Sequence, residues 1–356
     1  MNFSFRPCGD FRVSYDADKT IFPTRWSLYF ILGGIAVLLL SPLYLGSYGV
    51  TLLIQIGYMG IGALGLNILT GFTGQISLGH AAFFGLGAFG STYFSNKYGV
   101  PVLFAIPLAG LLAALVGMTF GLPAARIKGL YLAIATLAAQ YVLEDFFARA
   151  EWFTGGVAGA HAKPVTIFGY ALDTEQKYFY FVLAWVIALY VYATNLMRSR
   201  DGRAFVAIRD HDISAEIMGI NLSRYRILSF GISSFYAGIA GALMGHYLSF
   251  VSTESINILL SIQFIGMIII GGLGSVMGSM LGAIFMVLLP EVLEGVVVLL
   301  KNAALITSPN ILNGLNFMRE AMIGLIIVLF LMFEPDGLIH RWQLVKAYWK
   351  LYPFPH

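Results

Sequence analysis

A single charged island, residues 198–226, reading RSRDGRAFVAIRDHDISAEIMGINLSRYR, interrupts a chain that is otherwise a succession of apolar stretches. It holds six arginines and four carboxylates, although the chain as a whole is only 11% charged. One charge at the centre of a bilayer costs roughly 2.5–3.5 kcal/mol on insertion scales, so a segment this charged belongs in water. Its arginine excess assigns it to the cytoplasm. Ile213, Ile217 and Ile220 recur at spacings of four and three and share one helical face, leaving Arg209, Asp210, Asp212 and Glu216 to water. Gly219 offers a helix stop. A short amphipathic helix of this kind, without catalytic groups, suits either a docking site for a soluble partner or a solvated connection between spans.

Hydrophobic residues make up 58% of the sequence and the mean hydropathy is +0.81, which soluble domains do not reach. The expected fold is therefore an all-α integral membrane protein. Ten apolar segments fall at residues 26–45, 50–69, 79–94, 100–122, 130–147, 178–196, 227–250, 258–274, 276–300 and 321–333, against about 20 residues for a full span. The third and eighth are short and glycine-laden, which fits broken or re-entrant elements packed against protein and gives about 8–10 transmembrane helices. With both termini inside, fifteen of the twenty-one basic residues are cytoplasmic. The expected divisions are a cytoplasmic N-terminal segment, 1–25, a transmembrane domain, 26–338, with the island as its cytoplasmic coupling loop, and a cytoplasmic tail, 339–356. The segment 1–25 lacks the pattern of a signal peptide. Cys8, the one cysteine, excludes an intrachain disulfide and a cysteine-cluster metal site. The net charge of +3 reflects the basic cytoplasmic loops and gives no argument for nucleic-acid binding. Residues 148–177 form the longest external segment, with Trp152 and glycines at 155, 156 and 159; it fits either a receiving surface or a plain connection.

The stretch GFTGQISLGHAAFFGLGAFG, residues 71–90, sets Gln75, Ser77, Gly79 and His80 among closely spaced glycines. Small residues let backbones approach, and polar groups at membrane depth need a protein or water partner. The segment suits a translocation path, or tight helix packing around a satisfied histidine. A fainter echo, GGLGSVMGSMLG, occupies residues 271–282. Glu144, Asp145 and His246 are among the few ionisable groups near or inside spans, without the acidic or basic cluster that ion-coupled carriers place at the midplane. No phosphate-binding loop, HExxH or GxSxG motif is present, so neither ATP binding nor catalysis is expected of this chain.

Four stretches in order, GQISLGHAAFFGLGAF, ARIKGLYLAIATLA, VAIRDHDISAEIMGINLSRYRILSFGISSFYAGIAGAL and GMIIIGGLGSVMGSMLGA, closely resemble the LivM-type permease subunit of branched-chain amino acid ABC importers. The resemblance covers residues 52–338. It implies a non-catalytic subunit in a bacterial cytoplasmic (inner) membrane that forms half of a path for branched-chain or other hydrophobic amino acids. A second paralogous permease, two cytoplasmic ATPases holding ATP and Mg, and an external substrate-binding protein complete the implied complex. The island resembles the family's coupling element, with Ala215 and Gly219 at its small-residue and glycine positions. ATPase coupling is then expected of Ala207, Ile208, Arg209, Ile213, Ala215, Ile217 and Gly219. The element lacks the full alanine pair and the closing proline. Related permeases carry urea or short amides, which stays open as a cargo class beside an ion-coupled carrier.

Overall fold

A computed structural model describes residues 25–302 apart from 125, 128, 168 and 169, together with 321, 324–330, 332–334 and 336–351. Its helices are α1 (Arg25–Tyr44), α2 (Ser47–Asn67, continued by a π-helical turn, Ile68–Phe72), α3 (His80–Lys97), α4 (Val102–Ala124), α5 (Leu130–Arg149), α6 (Glu151–Thr154), α7 (Glu175–Arg198), α8 (Arg200–Asp210), α9 (Asp212–Ile217), α10 (Leu222–Leu248), α11 (Ile258–Gly271), α12 (Val276–Asn302) and α13 (Gly337–Leu351). Four two-residue strands accompany them: β1 (Ala160–His161), β2 (Thr166–Ile167), β3 (Tyr170–Ala171) and β4 (Phe250–Val251). β1 pairs with β4, and β2 with β3, both antiparallel.

Among the described residues six helices are long and apolar enough to cross a bilayer: α2, α4, α5, α7, α10 and α12. The third and eighth apolar segments form unbroken helices, α3 and α11, which are not among these six. Helix α3 follows a non-helical stretch, 73–79, and is buried along most of its length. Helix α11 has 14 residues, about 21 Å, short of the ~30 Å hydrocarbon core. The tenth segment lies partly outside the described residues, as do Cys8 and residues 303–320.

The centre of the bundle is α10, packed on α2, α3 and α4 through small residues. A Cβ on Gly87 of α3 would stand 1.9 Å from the Gly238 carbonyl oxygen of α10, and one on Gly241 would stand 1.8 Å from that of Phe84. In α12, a Cβ on Gly282 would come within 1.7 Å of the Met267 carbonyl oxygen of α11. Backbones are thus in contact at these crossings, which only glycine permits. Most remaining buried side chains, among them Phe84, Phe89, Tyr236 and Phe264, join one continuous core.

The helix starts are capped in two ways. Asn221 accepts from the Arg224 amide (3.0 Å) and Asn257 from that of Leu260 (3.3 Å), ordinary N-caps for α10 and α11. Helix α3 has Gly79 in that position, which offers no side chain. Its first amides are instead capped from other helices: Ala81 donates to Ser261 Oγ (2.9 Å) and Ala82 to Gln140 Oε1 (2.8 Å). Just upstream, Leu78 donates to Thr136 Oγ1 (2.9 Å). Two of the amides that a helix start leaves without an intrahelical acceptor are thus satisfied inside the protein.

Segments expected on the same side of the membrane gather at the same end. At one, which we term the inner end, lie Gly74, α8, α9, Arg226 and residues 272–275. At the outer end lie β1, β4, Asn96 and Lys163.

Candidate functional site

The island forms two helices, where its periodicity suggested one. The chain breaks at His211, whose extended backbone (φ −158°, ψ 95°) separates α8 from α9. Two attachments account for the break. Helix α8 buries Ala204, Phe205 and Ile208 against the bundle, with Phe205 edge-on to Tyr225 at 5.9 Å. Helix α9 is held by its first residue, since Asp212 pairs with Arg226 of α10 at 3.1 Å. Arg226 is buried and Asp212 half-buried. Asp212 is therefore not among the residues left to solvent, a departure from the sequence expectation.

The outward surface of α9 is apolar and uncovered: Ile213, Ile217 and Met218 are 61%, 81% and 85% exposed. Ile220, expected on that face, is half-buried. Gly219 ends the helix with φ +84°, a left-handed conformation suited to glycine. Around it the Gly219 amide donates to Glu216 O (2.9 Å) and the Ile220 amide to Ala215 O (3.0 Å). Beside this ridge runs a groove of about 520 Å³ that includes Arg203, Ala207, Ser214, Ala215 and Gly219. Of the seven residues expected in coupling, Ala207, Ile213, Ala215, Ile217 and Gly219 are thus on the ridge or its groove. Ile208 faces the core, and Arg209 turns inward to donate from Nη1 to the Gly71 carbonyl at 2.8 Å.

The candidate path residues divide by depth. Gln75 reaches across to Ser229 of α10 (Nε2 to Oγ, 2.7 Å), and with Gly74 it lines a cavity of about 320 Å³ beneath α8 and α9, whose walls include Ile127, Leu132, Arg209 and Arg226. Ser77, Gly79 and His80 lie deeper and are buried within the subunit. His80 donates from Nε2 to the Gly62 carbonyl (2.8 Å) and sets its ring edge-on to Phe264 at 5.2 Å. A Cβ on Gly79 would meet the Thr136 carbonyl oxygen at 2.4 Å. Gln75 Oε1, Gln140 Nε2, Glu144 Oε2 and Ser233 Oγ are buried without a hydrogen-bond partner among the described residues.

Three polar residues that organise this region were not singled out from the sequence. Asn67 accepts from the Gly274 amide (2.9 Å) and donates to Ser275 O (2.8 Å) and Ser279 Oγ (2.7 Å), fastening α2 to the turn between α11 and α12. Gln140 and Ser261 supply the caps of α3. The available signal was a lone amide or hydroxyl inside an apolar stretch, where an unpartnered polar group is costly. At the outer end His246 donates from Nδ1 to Lys163 O (2.8 Å) and meets the Ser91 hydroxyl through Nε2 (2.7 Å). Asp145 pairs with Arg149 on the surface of α5 at 2.9 Å.

Known proteins resemble this chain along most of its length. The high-affinity branched-chain amino acid transport system permease protein LivM of Escherichia coli (strain K12) is 29% identical over 300 residues, covering 78% of this chain and 66% of the relative. The probable branched-chain amino acid transport permease protein LivM of Methanocaldococcus jannaschii is 26% identical over 326 residues, 83% of this chain and 91% of the relative. The permease protein LivH of the E. coli system is 22% identical over 306 residues, 80% and 92% respectively. The chain thus matches just under two thirds of the length of the E. coli LivM protein. No solved structure matches the chain. Residues 48–331 match the family described as branched-chain amino acid transport system / permease component, and the chain belongs to that family.

Proposed function

We propose that this chain is the permease subunit of an ATP-driven importer and forms half of a translocation path for branched-chain or other hydrophobic amino acids. It works beside a paralogous permease, two cytoplasmic ATPases that bind ATP and Mg, and an external substrate-binding protein, in a bacterial cytoplasmic membrane with both termini inside. The observation that carries this reading is the uncovered apolar ridge of Ile213, Ile217 and Met218 at the inner end, beside an open groove and flanked by arginines. Such a ridge fits a protein pocket better than water. Driving a gate from 1:99 to 99:1 takes about 5.5 kcal/mol of differential binding, and an ATPase seated on the ridge is the source we assign. The names of the LivM relatives support the cargo class, and the likeness to LivH supports a pair of similar permeases.

The test is reconstitution of the chain with its paralogue and ATPases in proteoliposomes, with binding protein and radiolabelled leucine outside. Uptake is expected to need ATP and to persist with an uncoupler. Competition by urea but not by isoleucine would reassign the cargo. Uptake without ATPases that an uncoupler abolishes would replace the mechanism by an ion-coupled one.

A further inference from the structure

We propose that Arg209 is a positioning residue of the transport cycle, tying the coupling helices to the end of α2 and to the α11–α12 turn, an inference that rests on the ATP-driven reading above. Its side chain is 35% exposed and faces away from the apolar ridge. Nε and Nη2 are held by Asp210 Oδ1, at 3.0 and 2.9 Å, which leaves Nη1 to reach Gly71 O at 2.8 Å. Asp210 thereby aims the fork, and a lysine in place of Arg209 would lack the second and third donors in fixed geometry.

The acceptor is well chosen. Gly71 lies in the π-helical turn that ends α2, and the next amides bond elsewhere: Gly74 to Thr70 O (3.2 Å) and Gln75 to Leu69 O (3.1 Å). A carbonyl at a helix C-terminus needs an outside donor, and a cation there also meets the negative end of the helix dipole. From this point the chain enters the non-helical stretch that leads to α3.

The same contact reaches the α11–α12 turn. A Cβ on Gly71 would stand 1.8 Å from Asn67 Oδ1 and 2.4 Å from the Gly274 nitrogen, and one on Gly274 would stand 2.8 Å from Arg209 Nη1. Asn67 in turn holds Gly274, Ser275 and Ser279. Three segments distant in sequence therefore meet with no room for a methyl group between them. A displacement of α8 is passed to the end of α2 and to the α11–α12 turn through one guanidinium.

The experiment uses the complete reconstituted complex and compares Arg209→Gln and Arg209→Lys with wild type for ATPase co-purification, ATP hydrolysis and leucine imported per ATP. Both variants are expected to retain the ATPases and hydrolyse ATP, while leucine per ATP falls by about tenfold or more for Gln and by less for Lys. An unchanged ratio in Arg209→Gln would overturn the assignment. Loss of ATPase association together with uptake would also overturn it, because Arg209 would then serve docking. If Arg209→Gln is not recovered as an assembled complex, Arg209→Lys carries the test, and an unchanged ratio there overturns the assignment equally. A wild-type complex without ATP-dependent uptake would instead remove the ATP-driven reading, and this inference with it.

Discussion

At the outer end the segment between α5 and α7 is joined to the bundle largely through its backbone. Ala160 and His161 pair with Val251 and Phe250, the Lys163 carbonyl receives His246, and the His161 carbonyl receives Asn96. At the inner end α8 and α9 are joined to the bundle through side chains: the buried Ala204, Phe205 and Ile208, and the charged hydrogen bonds from Arg209 to Gly71 O and from Arg226 of α10 to Asp212. Strand pairing fixes register over several atoms and yields little without being lost. A guanidinium held in fixed geometry joins one element to another at a single point, so a shift of the first is passed to its acceptor. The difference suits an outer end that holds its shape and an inner end that transmits movement.

The contrast can be broken first at the core that both ends share. Gly87→Leu would force α3 and α10 apart where the backbone already touches the Gly238 carbonyl, so both ends should fail together. Overpacking costs about 1–3 kcal/mol or more, and a backbone collision belongs at the upper limit. The monodisperse peak in detergent chromatography is expected to disappear; a folded, transporting variant would mean that the crossing is looser than described.

Ile217→Asp separates the ends. The position is 81% exposed in the isolated chain, so thermal stability in detergent should match wild type. Truncating or charging an interface anchor costs about 2 kcal/mol or more, read as loss of ATPase co-purification and of ATP-driven uptake. Wild-type association would return α9 to a solvated connection.

His246→Ala tests the outer end alone. It leaves the Lys163 carbonyl and Ser91 hydroxyl without their partner, a loss of about 1–3 kcal/mol. A lower melting temperature and faster proteolysis within 148–177 are expected, with ATPase association unaltered. Reduced association would show that the two ends are not independent.

The smallest change is Gly219→Ala, which places a Cβ on a left-handed residue at roughly 1–2 kcal/mol. Its Cβ would meet nothing within 4 Å, so the effect should be confined to the end of α9 and appear as a few-fold weaker hold on the ATPase. A full loss would reveal a contact made at Gly219 itself.

Much of this contrast was legible in the sequence. Hydropathy picked out the six long apolar helices, glycine density set the segments of α3 and α11 apart from them, and arginine content separated the island. The island's isoleucine spacing picked out Ile213 and Ile217, which do lie uncovered. It failed at Ile220, because the break at His211 and the turn at Gly219 rotate the chain beyond them, and periodicity assumes one continuous helix. Arg209 and Asp212 were read as solvated since charge in a polar loop ordinarily is; their acceptors and partners, a carbonyl 138 residues away and Arg226 14 residues away, are set by tertiary contact. Asn67, Gln140 and Ser261 were overlooked for the same reason. Each is a single polar residue within an apolar run, and its bonding depends on helices far along the chain.

The borrowed caps of α3 also bear on the order in which the protein is made. When α3 leaves the ribosome, its first amides face the membrane with only Gly79 before them. Gln140 arrives 58 residues after Ala82, and Ser261 comes 180 residues after Ala81. Until both have been made, these two amides lack the protein acceptors that hold them in the folded subunit. With Leu78→Cys in a Cys8→Ser background, a nascent chain ending before Ser261 should leave residue 78 open to a water-soluble thiol reagent, and one extending beyond α11 should close it.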